Sequence, residues 1–163
     1  MRLFNITEEP KGEIYSKLLD VLFEVSDRFE LILRNDMMGK NKQKAMGSYE
    51  PILAKLAPYL IEINEKSEWA SNRLSRGATA FVYEYRATDE AKLVIKQLSD
   101  SLYQWIMPKL PEDLSFYKNG RVVIAVSSHE EFATLFPDHT HHSERTLRKL
   151  NHIEGLLLER WEE

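Results

Sequence analysis

The chain has no cysteine, and this absence excludes several kinds of site at once. Without a thiol among its 163 residues, it has no disulfide, no thiolate nucleophile and no Cys-ligated zinc. The longest unbroken apolar run is Val122–Val126, whereas a membrane-spanning helix needs about 20 apolar residues. The stretch Met1–Pro10 contains no apolar region of the kind found in signal peptides. We therefore expect a cytoplasmic protein without a membrane association.

Neither sign of charge dominates the sequence. Lys and Arg together number 22 and Asp and Glu 26, which gives a net charge of -4 at neutral pH. This balance provides no basic footprint for nucleic acid, so we expect no nucleic-acid partner. The sequence also has no Gly-x-Gly-x-x-Gly motif, no P-loop and no Gly-x-Ser-x-Gly motif. Without these motifs, the sequence gives no support for a nucleotide-phosphate site or for the nucleophile elbow of a hydrolase. We predict no cofactor.

The composition that remains is typical of a globular protein. Hydrophobic residues make up 43% of the chain and charged residues 29%. At roughly 150 residues per domain, the length predicts a single domain over residues 1–163.

Apolar periodicity and capping residues predict the helical regions. Ile14–Phe29 has apolar residues at helical spacing, and Ser48 and Pro51 favour a short helix that ends at Leu56 after a polar loop over Asn35–Gly47. Thr88 is a candidate N-cap for a long helix that ends before Pro108. Further helices are predicted from Ser128 to Phe136 and from Ser143 towards Trp161.

Strand patterns alternate with these helices. The predicted strands are Leu3–Ile6, Phe29–Arg34, Tyr59–Ile63, Ala80–Arg86, Leu114–Lys118 and Arg121–Val126. Asn119-Gly120 between the last two is the typical sequence of a type I′ hairpin. The mixed order of elements predicts an α+β single-domain sandwich, in which helices pack on a mixed or largely antiparallel sheet with a hairpin in the C-terminal half.

His129 is the residue most suited to acid–base chemistry. It lies in Ser127-Ser128-His129-Glu130, and an imidazole beside a carboxylate can serve as a general base near neutral pH. The same residues also fit a helix capping box between Ser128 and Glu131, which needs no ligand. Catalytic candidates are therefore His129, Glu130 and Asp113, with the capping role as the alternative.

Three histidines form a second cluster. His139, His141 and His142 could bind a transition metal, but their spacing matches no established ligand pattern. A polar loop before a helix that starts at Ser143 explains them equally well. We predict no metal site and keep the three histidines as weak candidates.

Two tryptophans and one residue of an acidic pair are candidate binding residues. Trp69 lies in a polar stretch from Asn64 to Gly77, where a tryptophan is either packed at the edge of the core or an anchor for a ligand. Glu112 and Asp113 precede the hairpin, and paired acids can exchange protons when their environments separate their pKa values. Trp69, Trp105 and Glu112 are the candidate binding residues.

Several segments resemble a family of small uncharacterised Firmicute proteins of Bacillus type. The segments that carry this resemblance are Leu110–Gly120, Ser127–Glu130, Glu68-Trp69, Gly77–Tyr85 and Leu102–Trp105. Members often have Cys where this chain has Ser115, and an aromatic residue where it has Val122 and Val123. Relatives are sometimes labelled as a stage III sporulation protein AH, which would imply a membrane-anchored channel subunit.

The resemblance implies a spatial arrangement and no activity. It leads us to expect six side chains near one end of the sheet: Trp69, Trp105, Glu112, Asp113, His129 and Glu130.

The sequence as a whole leaves two hypotheses about function. The first is a non-enzymatic module that binds a protein partner, as inhibitors and immunity-type proteins do. The alternative is a small hydrolase-like enzyme that uses His129 with a nearby carboxylate and possible metal assistance, and the sequence leaves the oligomeric state open.

Overall fold

A computed structural model describes residues 1–161 and contains one eight-stranded antiparallel sheet. The strands are β1 (Leu3–Ile6), β2 (Arg28–Arg34), β3 (Leu60–Lys66), β4 (Ala80–Arg86), β5 (Glu112–Lys118), β6 (Arg121–Ser127), β7 (Phe132–Leu135) and β8 (Leu158–Trp161). Their order across the sheet is β3-β4-β2-β5-β6-β7-β1-β8. The helices are α1 (Glu13–Val25), α2 (Lys42–Leu56), α3 (Asp89–Leu98) and α4 (Ser143–Asn151). The predicted α+β class with helices on a largely antiparallel sheet is confirmed.

The four helices pack on one face of the sheet. A single core cluster contains buried residues of α1, α2, α3 and α4 together with alternate residues of the strands. In β2, for example, Phe29, Leu31 and Leu33 belong to this cluster, because successive side chains of a strand point to opposite faces. Burial of this apolar surface is the main favourable contribution to folding.

The opposite face is covered differently in its two halves. Over β4 and β2, the segment 67–79 places Trp69 and Leu74 against Ile32, Ala80 and Val82. This small second cluster contains only strand and loop residues. Towards β7, β1 and β8, the exposed apolar side chains of this face are Phe132, Leu157 and Trp161.

The local predictions that rest on turn and cap chemistry are confirmed. The Asn119-Gly120 turn joins β5 and β6, and Lys118 pairs with Arg121 across it. Both turn residues have positive φ, as a type I′ turn requires. Thr88 caps α3, because its side chain accepts a hydrogen bond from the Ala91 backbone N–H. The predicted strands Leu3–Ile6 and Ala80–Arg86 match β1 and β4.

Four element predictions were wrong. The loop expected to Gly47 ends earlier, because Asn41 caps α2. The long helix after Thr88 ends at Leu98, and its later apolar residues enter the core from single turns. The segment from Ser128 forms a turn and strand β7 in place of a helix. The last helix ends at Asn151, and its predicted continuation is strand β8, which pairs with β1.

The helices are also short. Within residues 1–161, none combines the length and apolar character that crossing a bilayer requires.

Candidate functional site

Two consecutive carboxylates begin β5, and both are buried. Glu112 and Asp113 have exposed fractions of 0% and 1%. The register between β2 and β5 shifts beside them, and Asp113 has a φ of 58°. This bulge lets the two neighbouring side chains reach separate sets of partners.

Glu112 holds His129 in a fixed orientation. One carboxylate oxygen, Oε1, lies 2.8 Å from Nε2 of His129 and accepts a hydrogen bond from the Met107 backbone N–H at 3.2 Å. Burial, and then the charge of Asp113, raise the pKa of Glu112, while His129 opposes this rise. The contact uses Nε2 and leaves Nδ1 of a half-exposed imidazole for other chemistry.

The second oxygen of Glu112 is a buried acceptor without a partner. Among the described residues, none makes a hydrogen bond to Oε2, and Nη1 of Arg34 lies 4.0 Å from it. Arg34 itself makes a bidentate ion pair with Asp36, at 3.0 and 2.8 Å. An unpaired buried acceptor costs free energy, so this position is unusual in a stable fold.

Asp113 fastens the 67–79 segment to the sheet. Its Oδ2 accepts hydrogen bonds from Nε1 of Trp69 at 2.8 Å and from the Asn72 amide at 3.1 Å. Its Oδ1 accepts from the backbone N–H of Ser128 at 2.8 Å. With these bonds the carboxylate is fully engaged, and its role in this structure is to position Trp69 and the turn that carries His129.

The structure brings most of the expected group together. Trp69 and Asp113 are bonded, Glu112 and His129 are bonded, and the backbone N–H of Asp113 donates to the carbonyl of Trp105. The Trp105 ring is fully buried, and its Nε1–H donates to the Tyr15 hydroxyl, so it belongs to the core.

Glu130 and the three histidines lie apart from this group. Glu130 is exposed in the turn between β6 and β7. Nδ1 of His139 lies 2.6 Å from the Val122 carbonyl and its ring stacks on Phe136, whereas His141 and His142 contact each other edge to face. In the described part of the chain, no three His, Cys, Asp or Glu side chains are arranged to hold a metal.

A row of three glutamates crosses the sheet beside Trp69, and sequence reasoning missed it. Glu84 on β4 pairs with Glu62 on β3 and with Glu30 on β2. Like charges directly opposite each other destabilise a sheet. Burial raises the pKa of Glu30 to about 7 and raises that of Glu84, while a hydrogen bond to Glu84 lowers the pKa of Glu62. The hydrogen bond between the two carboxyl groups thus lowers the pKa of Glu62 and adds to the rise in the pKa of Glu84.

This row opens into a cavity of about 570 Å³. Trp69 and Tyr117 line the cavity together with Glu30 and Glu84. The glutamates stood in predicted strands, but only the pairing register could show that they are neighbours.

An acidic groove of about 660 Å³ lies at the end of β1. Its charged lining residues are Glu8, Glu9, Lys11 and Glu131. Oε2 of Glu9 is engaged by the Ser101 hydroxyl at 2.6 Å and the Tyr103 backbone N–H at 2.8 Å. Glu8 and Glu131 are exposed, so their carboxylates face solvent.

Tyr103 borders the same groove, and its hydroxyl is buried beneath the surface. Its side chain lines the groove and is 7% exposed, and its hydroxyl has no hydrogen-bond partner among the described residues. Burial, and then the charges of Glu9 and Glu131, raise the pKa of Tyr103 to about 12. The hydroxyl is therefore a neutral donor at physiological pH.

Apolar side chains lie beside the groove on the face of the sheet opposite the four helices. The Thr7 backbone N–H donates to the Leu157 carbonyl, and extending the β1–β7 register two residues beyond the Asn5–Thr134 pair sets Phe132 opposite Thr7. Neighbouring strands lie about 4.8 Å apart, so Leu157 and Phe132 flank Thr7 at about 10 Å from each other. Their exposed fractions are 48% and 44%.

Comparisons with protein-family models, with curated proteins and with solved structures gave no match to this chain. The family resemblance therefore stays a prediction.

Proposed function

We propose that the protein is a non-enzymatic binding module whose acidic groove and adjoining apolar residues take a basic segment of a partner protein. The observation that carries this proposal is the combination of exposed carboxylates in the groove with exposed apolar side chains beside it. Protein interfaces commonly have an apolar centre within a polar rim. Here Leu157 and Phe132 provide the apolar part, and Glu8 and Glu131 the charged part.

The charge of the groove selects the partner. Three glutamates and one lysine line it, and one of the glutamates is engaged within the fold. Arginine or lysine side chains on a partner would pair with Glu8 and Glu131, which raises the association rate and favours basic over acidic partners.

A random peptide library displayed on phage tests this proposal directly. Selection on the purified protein should enrich peptides in which Lys or Arg flanks an aromatic or aliphatic residue. Affinity of the selected peptides should fall about tenfold in Glu8→Lys and in Phe132→Ser, since each removes one charged or apolar anchor.

Two substitutions on α3 provide matched controls. Glu90→Lys and Leu93→Ser make the same kinds of change at exposed positions on a different surface. They should leave affinity within about twofold. Selection without basic enrichment, or equal weakening by the control variants, would contradict the proposal.

The Glu112–His129 pair favours a second candidate, acid–base catalysis of ester hydrolysis. Glu112 would keep the proton on Nε2 while Nδ1 accepts a proton from a water molecule. The water oxygen then bonds to the ester carbonyl carbon, the alcohol leaves with a proton, and a carboxylic acid remains. The support for this candidate is the fixed orientation of His129 by a fully buried carboxylate.

Hydrolysis of 4-nitrophenyl acetate separates this candidate from a passive surface histidine. His129→Gln should lower kcat/KM by about a hundredfold or more if His129 is the base. His141→Gln changes another exposed histidine and should have no effect. Equal rates in the two variants would exclude this role of His129.

A further inference from the structure

We infer that a cavity between α4, the end of α1 and the β5–β6 hairpin binds the phosphate group of a small organic phosphate. The cavity has a volume of about 240 Å³ and lies on a different surface from the acidic groove. Its lining residues are Glu24, Val25, Lys118, Thr140, His141, His142, Arg145, Thr146 and Lys149. The inference is therefore independent of the proposed protein partner.

Cations from different elements meet in this cavity. Lys118 comes from the end of β5, whereas Arg145 and Lys149 lie one turn apart on α4. Lys149 is paired with Glu24, the acidic residue of the lining. The cavity lining thus has more positive than negative side chains, although the net charge of the whole chain is -4.

Two of these cations have no counter-charge within the fold. Among the described residues, no carboxylate lies within 4.0 Å of Lys118 or Arg145. Two cations that face one cavity repel each other, and a bound anion would remove this repulsion. The charge pattern thus points to an anionic ligand.

The N-terminal half of α4 borders the cavity through side chains. His142 is the N-cap residue, and its side chain makes no capping hydrogen bond. Arg and Lys side chains bind phosphate through charge-assisted hydrogen bonds, and Arg145 and Lys118 provide these donors here. The buried hydroxyls of Thr140 and Thr146 are engaged within the fold, since Thr140 donates to the Pro137 carbonyl at 2.6 Å and Thr146 donates to Thr140 at 2.9 Å.

The volume argues for more than a bare ion. A water molecule occupies about 30 Å³ of liquid, so 240 Å³ corresponds to about eight water molecules. A phosphate group has five heavy atoms and leaves room for a short organic substituent. Val25 gives one part of the lining an apolar surface that such a substituent could contact.

Calorimetric titration with phenyl phosphate and with inorganic phosphate tests the inference. Ionic strength is held constant with sodium chloride, so that general screening does not change. We expect saturable binding of phenyl phosphate at one site per chain, with affinity about tenfold lower in Lys118→Gln and in Arg145→Gln. Arg148→Gln is the matched control, because it removes an exposed arginine of the same helix that does not line this cavity.

The outcomes separate specific binding from general attraction to a basic surface. Absence of saturation would overturn the inference, and so would an equal loss of affinity in Arg148→Gln. Binding of inorganic phosphate alone would keep the anion site but assign it to the free ion. Circular dichroism of each variant confirms that loss of affinity does not reflect loss of fold.

Discussion

Glu84 lies directly across from Glu30 on neighbouring antiparallel strands, and burial raises the pKa of Glu30 to about 7. Because the ordinary pKa is 4.5, folding favours the protonated form of this carboxyl. Its contribution to stability is therefore complete below about pH 4.5 and is lost as the pH rises through 7.

The first prediction concerns this pH dependence. Glu30→Gln keeps a neutral side chain at every pH, and we expect it to raise the free energy of unfolding at pH 8 by up to about 3 kcal/mol. Between pH 5 and pH 8, urea unfolding of the variant should depend less on pH than that of the parent chain. Glu90→Gln, at an exposed position on α3, should leave the pH profile unchanged. A parent-like profile in Glu30→Gln would show that Glu30 titrates normally.

The second prediction concerns the buried bonds of Asp113. Asp113→Asn tolerates the positive φ but replaces one acceptor oxygen by an NH₂ group among donors from Trp69, Asn72 and Ser128. We expect a loss of about 2–3 kcal/mol in the free energy of unfolding. Glu130→Gln changes an exposed carboxylate in the adjoining turn and should cost less than about 0.5 kcal/mol. Denaturant titration of both variants measures the two losses in the free energy of unfolding. Equal losses would contradict the role of Asp113.

The third prediction compares two buried tyrosine hydroxyls. Tyr15→Phe leaves the buried Nε1–H of Trp105 without its acceptor, so we expect a loss of about 1–3 kcal/mol. Tyr103→Phe removes a hydroxyl that has no partner in the described chain, so we expect no loss or a small gain of stability. Thermal unfolding of the two variants should therefore give opposite or clearly unequal shifts of Tm. If both lose the same stability, the Tyr103 hydroxyl has a partner in solution.

The fourth prediction uses two glycines in different backbone conformations. Gly120 has a φ of 76° in the hairpin turn, and Gly120→Ala should destabilise the protein by about 1 kcal/mol or more. Gly47 lies within α2, and a methyl group added at its Cα would meet open space. Gly47→Ala should therefore stabilise the protein by about 0.5–1 kcal/mol. Equal signs in chemical denaturation would contradict the assignment of the turn.

The accuracy of the sequence predictions followed the range of the interactions involved. The Asn119-Gly120 turn and the Thr88 cap depend on a few neighbouring residues, and both were predicted correctly. The strand β7 was predicted as a helix, because Ser128 and Glu131 have the spacing of a capping box. Pairing with β6 and β1 decides that segment, and a strand at this position leaves His129 in a turn.

The candidate site was predictable only in part. Residue type and position near predicted turns identified four candidates in the sequence: Trp69, Glu112, Asp113 and His129. Arg34 and Glu30 were not identified, because nothing in their local sequence distinguishes them from ordinary charged residues of a strand. Strand β2 lies between β4 and β5, and this position places Arg34 near Glu112 and Glu30 opposite Glu84.

The sequence by itself determined the α+β class, the hairpin and the cap of α3, since periodicity, turn residues and capping act over a few positions along the chain. Tertiary structure alone decided that Glu112, not Glu130, orients His129, and that three glutamates share one row of the sheet. The physical reason is that strand register and burial set which charged groups become neighbours and how far each is removed from water.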